Sequence, residues 1–348
     1  MTLAARQHQR FASLWELALP LILAGMLCAT VGAQSAPPSQ FVTIDAPDAG
    51  SIGTQAEFIN HNGSVTGLYY DASQRRHGFF LPVGGTLVEF DPPSSTDTIP
   101  TAINSFNQIV GLAKINNKFV SFLRSGSGKF VILSLPGASD FRANAINDSK
   151  QIAGWYTDSS NVSHGYIRQP DGTLTFFDEP DAAGLGTRAQ AMNNSGEVTG
   201  YYYDSQNGIH GFVRDAAGNY ASFDAPQGIG TTGGDKINDA GSIIGIYGDF
   251  AVNGSFERDA QGNIQSVSVP GAGATVAFGI NNLDVVVGVA ETDSSQVAFR
   301  RTATGNYLAL NIPPAHITSW GQDVNDSGVV AGFYQDPSGK NFGFVLKP

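Results

Sequence analysis

Three histidines and two sets of aspartates are the residues best placed to do chemistry. His77-Gly78-Phe79, His164-Gly165-Tyr166 and His210-Gly211-Phe212 repeat one pattern. Three imidazoles at about 2.0 Å would make a metal triad. Asp71, Asp158, Asp204, Asp249, Asp293 and Asp336 each follow one kind of β-like run, and Asp45, Asp91, Asp178 and Asp224 follow another. A ring of carboxylates would suit Ca²⁺, which takes about six to eight oxygen ligands. The competing reading is turn chemistry, in which a side-chain oxygen bonds backbone N–H groups just ahead. The second set reads in full Asp45, Asp91, Ser134, Asp178, Asp224, Ser268 and Asn311. Those types share turn-capping ability and not charge, so capping is expected there. The first set is more uniformly acidic, and Ca²⁺ on Asp71, Asp158, Asp204, Asp249 and Asp336 stays open. No Asp-x-Asp-x-Asp-Gly calcium loop is present.

The elements that must position these residues follow from a repeat. The pairs Ile59-Asn60, Ile103-Asn104, Ile146-Asn147, Met192-Asn193, Ile237-Asn238, Ile280-Asn281 and Val324-Asn325 are separated, Asn to Asn, by 44, 43, 46, 45, 43 and 44 residues. A period of this length marks a solenoid, a propeller or an array. Within one unit, Gln55–Ile59, Ser64–Tyr70, His77–Leu81 and Thr86–Phe90 read as four short strands. They are rich in aromatic and β-branched residues and bounded by Gly, Asn, Asp or Pro. Four antiparallel strands per unit is a propeller blade. The last unit stops after its third strand, Phe342–Leu346, and Phe41–Ile44 is an unpaired fourth strand near the other end. Joining them closes a ring and removes open edges. The expectation is an all-β, seven-bladed β-propeller of four-stranded antiparallel blades over 41–348, its N-terminal strand closing the last blade.

The His-Gly-Phe pattern together with Phe177-Asp178-Glu179-Pro180 and Phe223-Asp224-Ala225-Pro226 resembles the HAF extracellular repeat, named for a His-Ala-Phe motif. The resemblance covers residues 41–348. It implies repeats and export, and it carries no assigned activity or active site.

Residues 1–33 read as a cleaved signal peptide. Arg6 and Arg10 precede an apolar stretch from Leu17 to Val31, and Val31-Gly32-Ala33 ends it with small residues. The stretch is shorter than the ~20 residues that span a bilayer. Leu27 before Cys28 argues against a lipid anchor. Residues 34–40 read as a linker. The expected address is secreted, extracellular or periplasmic, in a bacterium, with no membrane contact after cleavage. Cys28 is the sole cysteine, so the mature chain has no disulfide; some 300 residues bury enough apolar surface without one. The chain carries 19 basic and 30 acidic residues; removing Arg6, Arg10 and Glu16 leaves 17 and 29. No basic cluster exceeds Arg75-Arg76 or Arg300-Arg301, which excludes a phosphate backbone as partner.

In such a ring the third strand lies about two spacings of ~4.8 Å outward from the innermost one. His77, His164 and His210 are then too far apart to share a metal. Each is expected to pack between blades with its Gly and Phe. The repeated Asn opens a tight turn. No Gly-x-Ser-x-Gly elbow, His-Glu-x-x-His or phosphate loop appears; no catalytic residue, metal site or cofactor is assigned. The longer loops, between strands two and three and between blades, lie on one face, where binding residues belong. Tyr70, Trp155 and Tyr203 near that face could stack on sugar rings. His316 and Trp320, leading into the seventh blade, break the repeat and join them as candidate binding residues. Two functions remain: a monomeric, non-catalytic propeller binding a glycan or an extracellular protein, or a propeller hydrolase or lyase acting on sugars or lactones from a carboxylate or metal site at the channel mouth.

Overall fold

The computed structural model describes residues 41–228, 230–248, 253–292, 295–312 and 316–348. The proposed signal peptide and linker, Asp249 and Asp293 lie outside them. The described chain is all-β, with 28 strands in sets of four. Five sets are separate antiparallel sheets. The first and seventh share an eight-stranded sheet through a single parallel bridge, Gly53 to Asn341. The strand Phe41–Ile44 pairs antiparallel with Asn341–Leu346, Phe41 opposite Leu346, and so supplies the fourth strand of the last set. That makes seven blades. The first strand of each blade touches the first strand of the next, and Thr318–Val324 touches Gly53–Ile59, so the ring is closed.

A buried aromatic layer holds each blade to its neighbour, and arginines reinforce three of the seams. Phe79, Phe122, Tyr166, Phe212, Phe256, Phe299 and Phe344, on the third strands, are essentially inaccessible. Arginines near the ends of third strands reach back over the preceding blade. Arg124 lies 5.0 Å from the Phe90 ring centroid, Arg214 5.1 Å from Phe177 and Arg258 5.3 Å from Phe223. Their stems cover apolar surface while the guanidinium meets the ring face. Repeat degeneracy also has a packing cause. Gly78, Gly165 and Gly211 stand opposite Phe90, Phe177 and Phe223, and a Cβ there would run into the ring. Where the third strand has Ser121 or Ser255, the opposite residue is Leu133 or Val267. The small and large residues trade volume as a pair.

Every innermost strand carries a β-bulge at the same place. The register slips between Ala56 and Phe58, Pro100 and Ala102, Ala143 and Ala145, Ala189 and Ala191, Gly234 and Lys236, Ala277 and Gly279, and Gly321 and Asp323. A bulge leaves one residue out of the ladder and re-aims its side chain. The residues set free are Glu57, Thr101, Asn144, Gln190, Asp235, Phe278 and Gln322, and all seven are half-buried, as a channel wall requires.

Candidate functional site

The central channel runs between two unlike ends. At the tight-turn end the seven Asn residues form a closed hydrogen-bonded ring. Each side-chain amide donates to the backbone oxygen of its counterpart in the next blade. Asn60 reaches Asn104 at 2.9 Å, Asn104 reaches Asn147 at 3.1 Å, and Asn147 reaches Asn193 at 3.3 Å. Asn193 reaches Asn238 at 2.9 Å, Asn238 reaches Asn281 at 2.8 Å, and Asn281 reaches Asn325 at 2.9 Å. Asn325 returns to Asn60 at 3.4 Å. The same side chains accept the N–H four residues on, such as Ser64, Gln151 and Val329, which caps the turn. The turn role read from sequence is present. The inter-blade clasp is additional. These residues border a cavity of about 250 Å³, which Lys236 and Asp323 also line.

Above the ring lies a charged level. Lys236 sits 4.6 Å from the centroid of Phe58, a residue of the first blade, although Lys236 belongs to the fifth. Burial pushes Glu57 up to about 8, against the pull of Arg76 and Lys236. Burial pushes Asp235 up to about 7, again against Lys236. Asp323 is also raised by burial, although Lys236 and the N–H groups of Ile59 and Val324 favour its charge. All three residues keep part of their surface open to the channel, so their desolvation is incomplete.

At the long-loop end the wall is asymmetric. Arg142 and Arg188, two residues before the bulges of the third and fourth blades, both lie against Trp155. Their guanidinium carbons are 5.7 and 4.4 Å from its ring centroid. Arg142 Nε donates to both oxygens of Asp140, at 3.0 and 2.9 Å. Arg188 Nε donates to Ser163 Oγ at 3.1 Å and its Nη1 to Tyr201 Oη at 3.3 Å. Trp155 is 9 % exposed and Tyr203 1 %. Tyr203 packs with Tyr201 and Ile209. Both are wall residues that hold arginines (Arg188 also lies 5.6 Å from Tyr203) and present little ring to a sugar. Trp320 is half-buried and stacks on Phe333 at 4.6 Å; His316 lies 6.2 Å from Tyr334; Tyr70 is half-buried at its strand end. The structure thus joins Trp155 and Tyr203 in one cluster, with Trp320 on the wall of another blade. Sequence reasoning passed over Arg142 and Arg188. Their signal was available: no other blade has a cation two residues before its bulge.

The histidines do not pack as expected. Each bridges two aspartates of its own blade and stacks on a tyrosine one strand away. His77 Nδ1 is 2.6 Å from Asp91 and its Nε2 3.3 Å from Asp71, with Tyr69 at 5.0 Å. His210 repeats this with Asp224 at 2.9 Å, Asp204 at 3.3 Å and Tyr202 at 5.3 Å. His164 is 2.9 Å from Asp178, 3.7 Å from Asp158 and 5.1 Å from Tyr156. Burial would lower His77 and His210, but the facing carboxylates outweigh it and raise both. The two Asp sets also divide otherwise than expected. Asp71, Asp158, Asp204 and Asp336 are the turn caps; each accepts the N–H groups two and four residues ahead. Asp178 and Asp224 turn to histidine, Asp91 to His77 and Thr98, and Asp45 to Lys340 and Thr54. Among the described residues no three His, Cys, Asp or Glu side chains come together to hold a metal ion.

No protein-family profile matches the sequence, and no curated protein matches it. Solved structures do resemble the fold. Catalytically inactive virginiamycin B lyase from Staphylococcus aureus, solved with Quinupristin, aligns with TM-score 0.58 at 11 % identity, over 88 % of this chain and 99 % of that one. YCF48 bound to D1 peptide aligns with TM-score 0.55 at 10 % identity, over 92 % and 100 %. A lectin from Burkholderia pseudomallei aligns with TM-score 0.52 at 10 % identity, over 84 % and 94 %. At such identities the likeness shows the propeller fold alone.

Proposed function

We propose that the chain is an exported, non-catalytic binding propeller that engages a glycan, or failing that an extracellular protein, at the long-loop end of its channel. One observation carries this reading: Arg142, Trp155, Arg188 and Tyr201 break the sevenfold repeat at one spot on the channel wall. A ring of repeated residues treats all directions alike, and a ligand needs one asymmetric patch. The propeller neighbours include a lectin and a peptide binder, which makes either ligand class reasonable for the fold. The HAF resemblance supports export. A glycan array probed with the mature chain, with and without Ca²⁺, tests this. Retention of glycans without turnover is expected, and turnover of any of them would reject the non-catalytic reading.

A second reading has its own observation. Glu57 and Asp235, raised towards neutrality beside Lys236, are placed as general acids for a hydrolase or lyase acting on sugars or lactones. If that is the activity, Glu57→Gln should abolish turnover and leave binding intact.

A further inference from the structure

We propose that the channel mouth between the third and fourth blades binds the carboxylate of an acidic sugar, an inference that rests on the glycan-binding reading above. The wall position two residues before the bulge is Gln55, Ile99, Arg142, Arg188, Gly233, Val276 or Trp320 around the ring. Cations therefore occupy two adjacent positions of the set and no others. They share one indole, Trp155. Two like charges brought to one ring repel unless an anion stands near. The protein supplies a single carboxylate hydrogen-bonded to the pair, Asp140 on Arg142 Nε. The partners of Arg188, Ser163 and Tyr201, are neutral hydroxyls. The patch keeps one uncompensated positive charge in a chain of net charge −11.

Guanidinium donors are left over for an oxyanion. Among the described residues, both terminal nitrogens of Arg142 and Nη2 of Arg188 carry no hydrogen bond to protein. A guanidinium edge offers parallel donors that match a carboxylate. The Arg142 side chain is 30 % exposed, so a ligand reaches it without unfolding the wall.

The surroundings favour a sugar over a peptide. The next level of the same wall presents Thr101, Asn144 and Gln190 from the bulges. Thr101 Oγ donates to Ala143, and the Asn144 amide donates to Ala189 and to Gln190 Oε1. Asn144 Oδ1 and Gln190 Nε2 keep no partner among the described residues and would meet sugar hydroxyls. One residue further, Ala102, Ala145 and Ala191 turn into the hydrophobic cores and leave the polar side chains to face the ligand.

Calorimetric titration of the mature chain with a panel of uronate oligosaccharides and their carboxyl-reduced, neutral counterparts tests this. At least one acidic member is expected to bind about tenfold tighter than its neutral partner. Arg142→Gln and Arg188→Gln should each erase most of that preference, and Arg188→Lys should keep part of it. Thermal melts check folding; if Arg188→Gln does not fold, the more exposed Arg142→Gln carries the test. Equal affinity for acidic and neutral partners would overturn the carboxylate proposal and leave glycan binding standing. Absence of binding to the whole panel would overturn both. Capture of a peptide through its C-terminal carboxylate, in place of any sugar, would also reject the acidic-sugar assignment.

Discussion

The two ends of the channel are built from the same seven strands and treat the repeat in opposite ways. At the tight-turn end the same residue stands at all seven positions, and each Asn is 3–6 % exposed and spent on its own turn and the next blade. At the bulges, a few residues earlier on the same strands, the occupants are Glu57, Thr101, Asn144, Gln190, Asp235, Phe278 and Gln322. Where a side chain must complete a ring, only one type fits. Where it faces an open channel, the ladder makes no demand on it. Uniformity here marks mechanical closure, and variation marks the wall a ligand would read.

The sharpest way to break this division is to open the ring itself. Removing residues 41–47 strips the last blade of its outer strand, including buried Ile44 and the Phe41 ring stacked 5.7 Å from Phe344. The expected loss, followed by denaturant unfolding, is on the order of 5 kcal/mol. Next comes a single clasp. Asn238→Ala removes the bonds to Asn281 and Ser242 and leaves the N–H of buried Ser242 without its partner, at a cost of about 2–4 kcal/mol. Gln190→Ala on the open wall should cost less than about 1 kcal/mol by the same measurement. Equal losses at the two sites would erase the distinction.

The paired volumes give a finer test. Gly165→Ser forces a Cβ into the Phe177 ring and should cost about 1–3 kcal/mol. Adding Phe177→Leu recreates the Ser121–Leu133 pair of the second blade, so the double variant should recover most of the loss. Additive losses would refute the pairing.

The smallest effect is the pH response of the histidine bridges. His77 and His210 are raised, so their contribution is complete below about pH 6.5 and is lost as pH climbs through the folded value. Asp71 is lowered chiefly by the Arg75 N–H. Asp204 is lowered by the Gly208 and Gln206 N–H groups and His210 in spite of burial. Their contribution is present above about pH 4 and lost as pH falls. The bridges should therefore help most between about pH 4 and 6.5. Solvent screening keeps the contribution of each small. Melting curves of His210→Asn against the parent should converge as pH rises past that window; a constant gap would show that the ring matters only as packing.

Much of this architecture was legible in the chain. The Asn period, the strand runs and the complementary ends carry the fold. The site was less legible, for identifiable reasons. Six bonds of the Asn clasp join residues 43 to 46 apart and the seventh joins residues 265 apart, and a turn motif read locally has no view of the next blade. The histidine bridges were half visible, since His77–Asp91, His164–Asp178 and His210–Asp224 share a spacing of 14 residues. Reading Asp as a turn residue and His as packing hid the pair. Trp155 and Tyr203 stood out as aromatics near the right face, but only coordinates show arginines already lying on them. The bulges hid a further feature, the side chains that face the channel beyond them. One extra residue per inner strand shifts the alternation, so a strict two-residue period points the wrong side chains at the channel.

The strand that completes the last blade sets a clock for the whole molecule. Phe41 and its partner Leu346 stand far apart in the sequence, with six whole blades between them. No other pairing in the ring waits so long. Six blades can assemble in order as the chain appears, since each pairs only with near neighbours. The seventh cannot be finished until Asn341–Leu346 has been made and released. A chain stopped before Asn341 keeps an open ring with bare edges, so an interruption of synthesis there becomes, at once, a defect that quality-control proteases can detect.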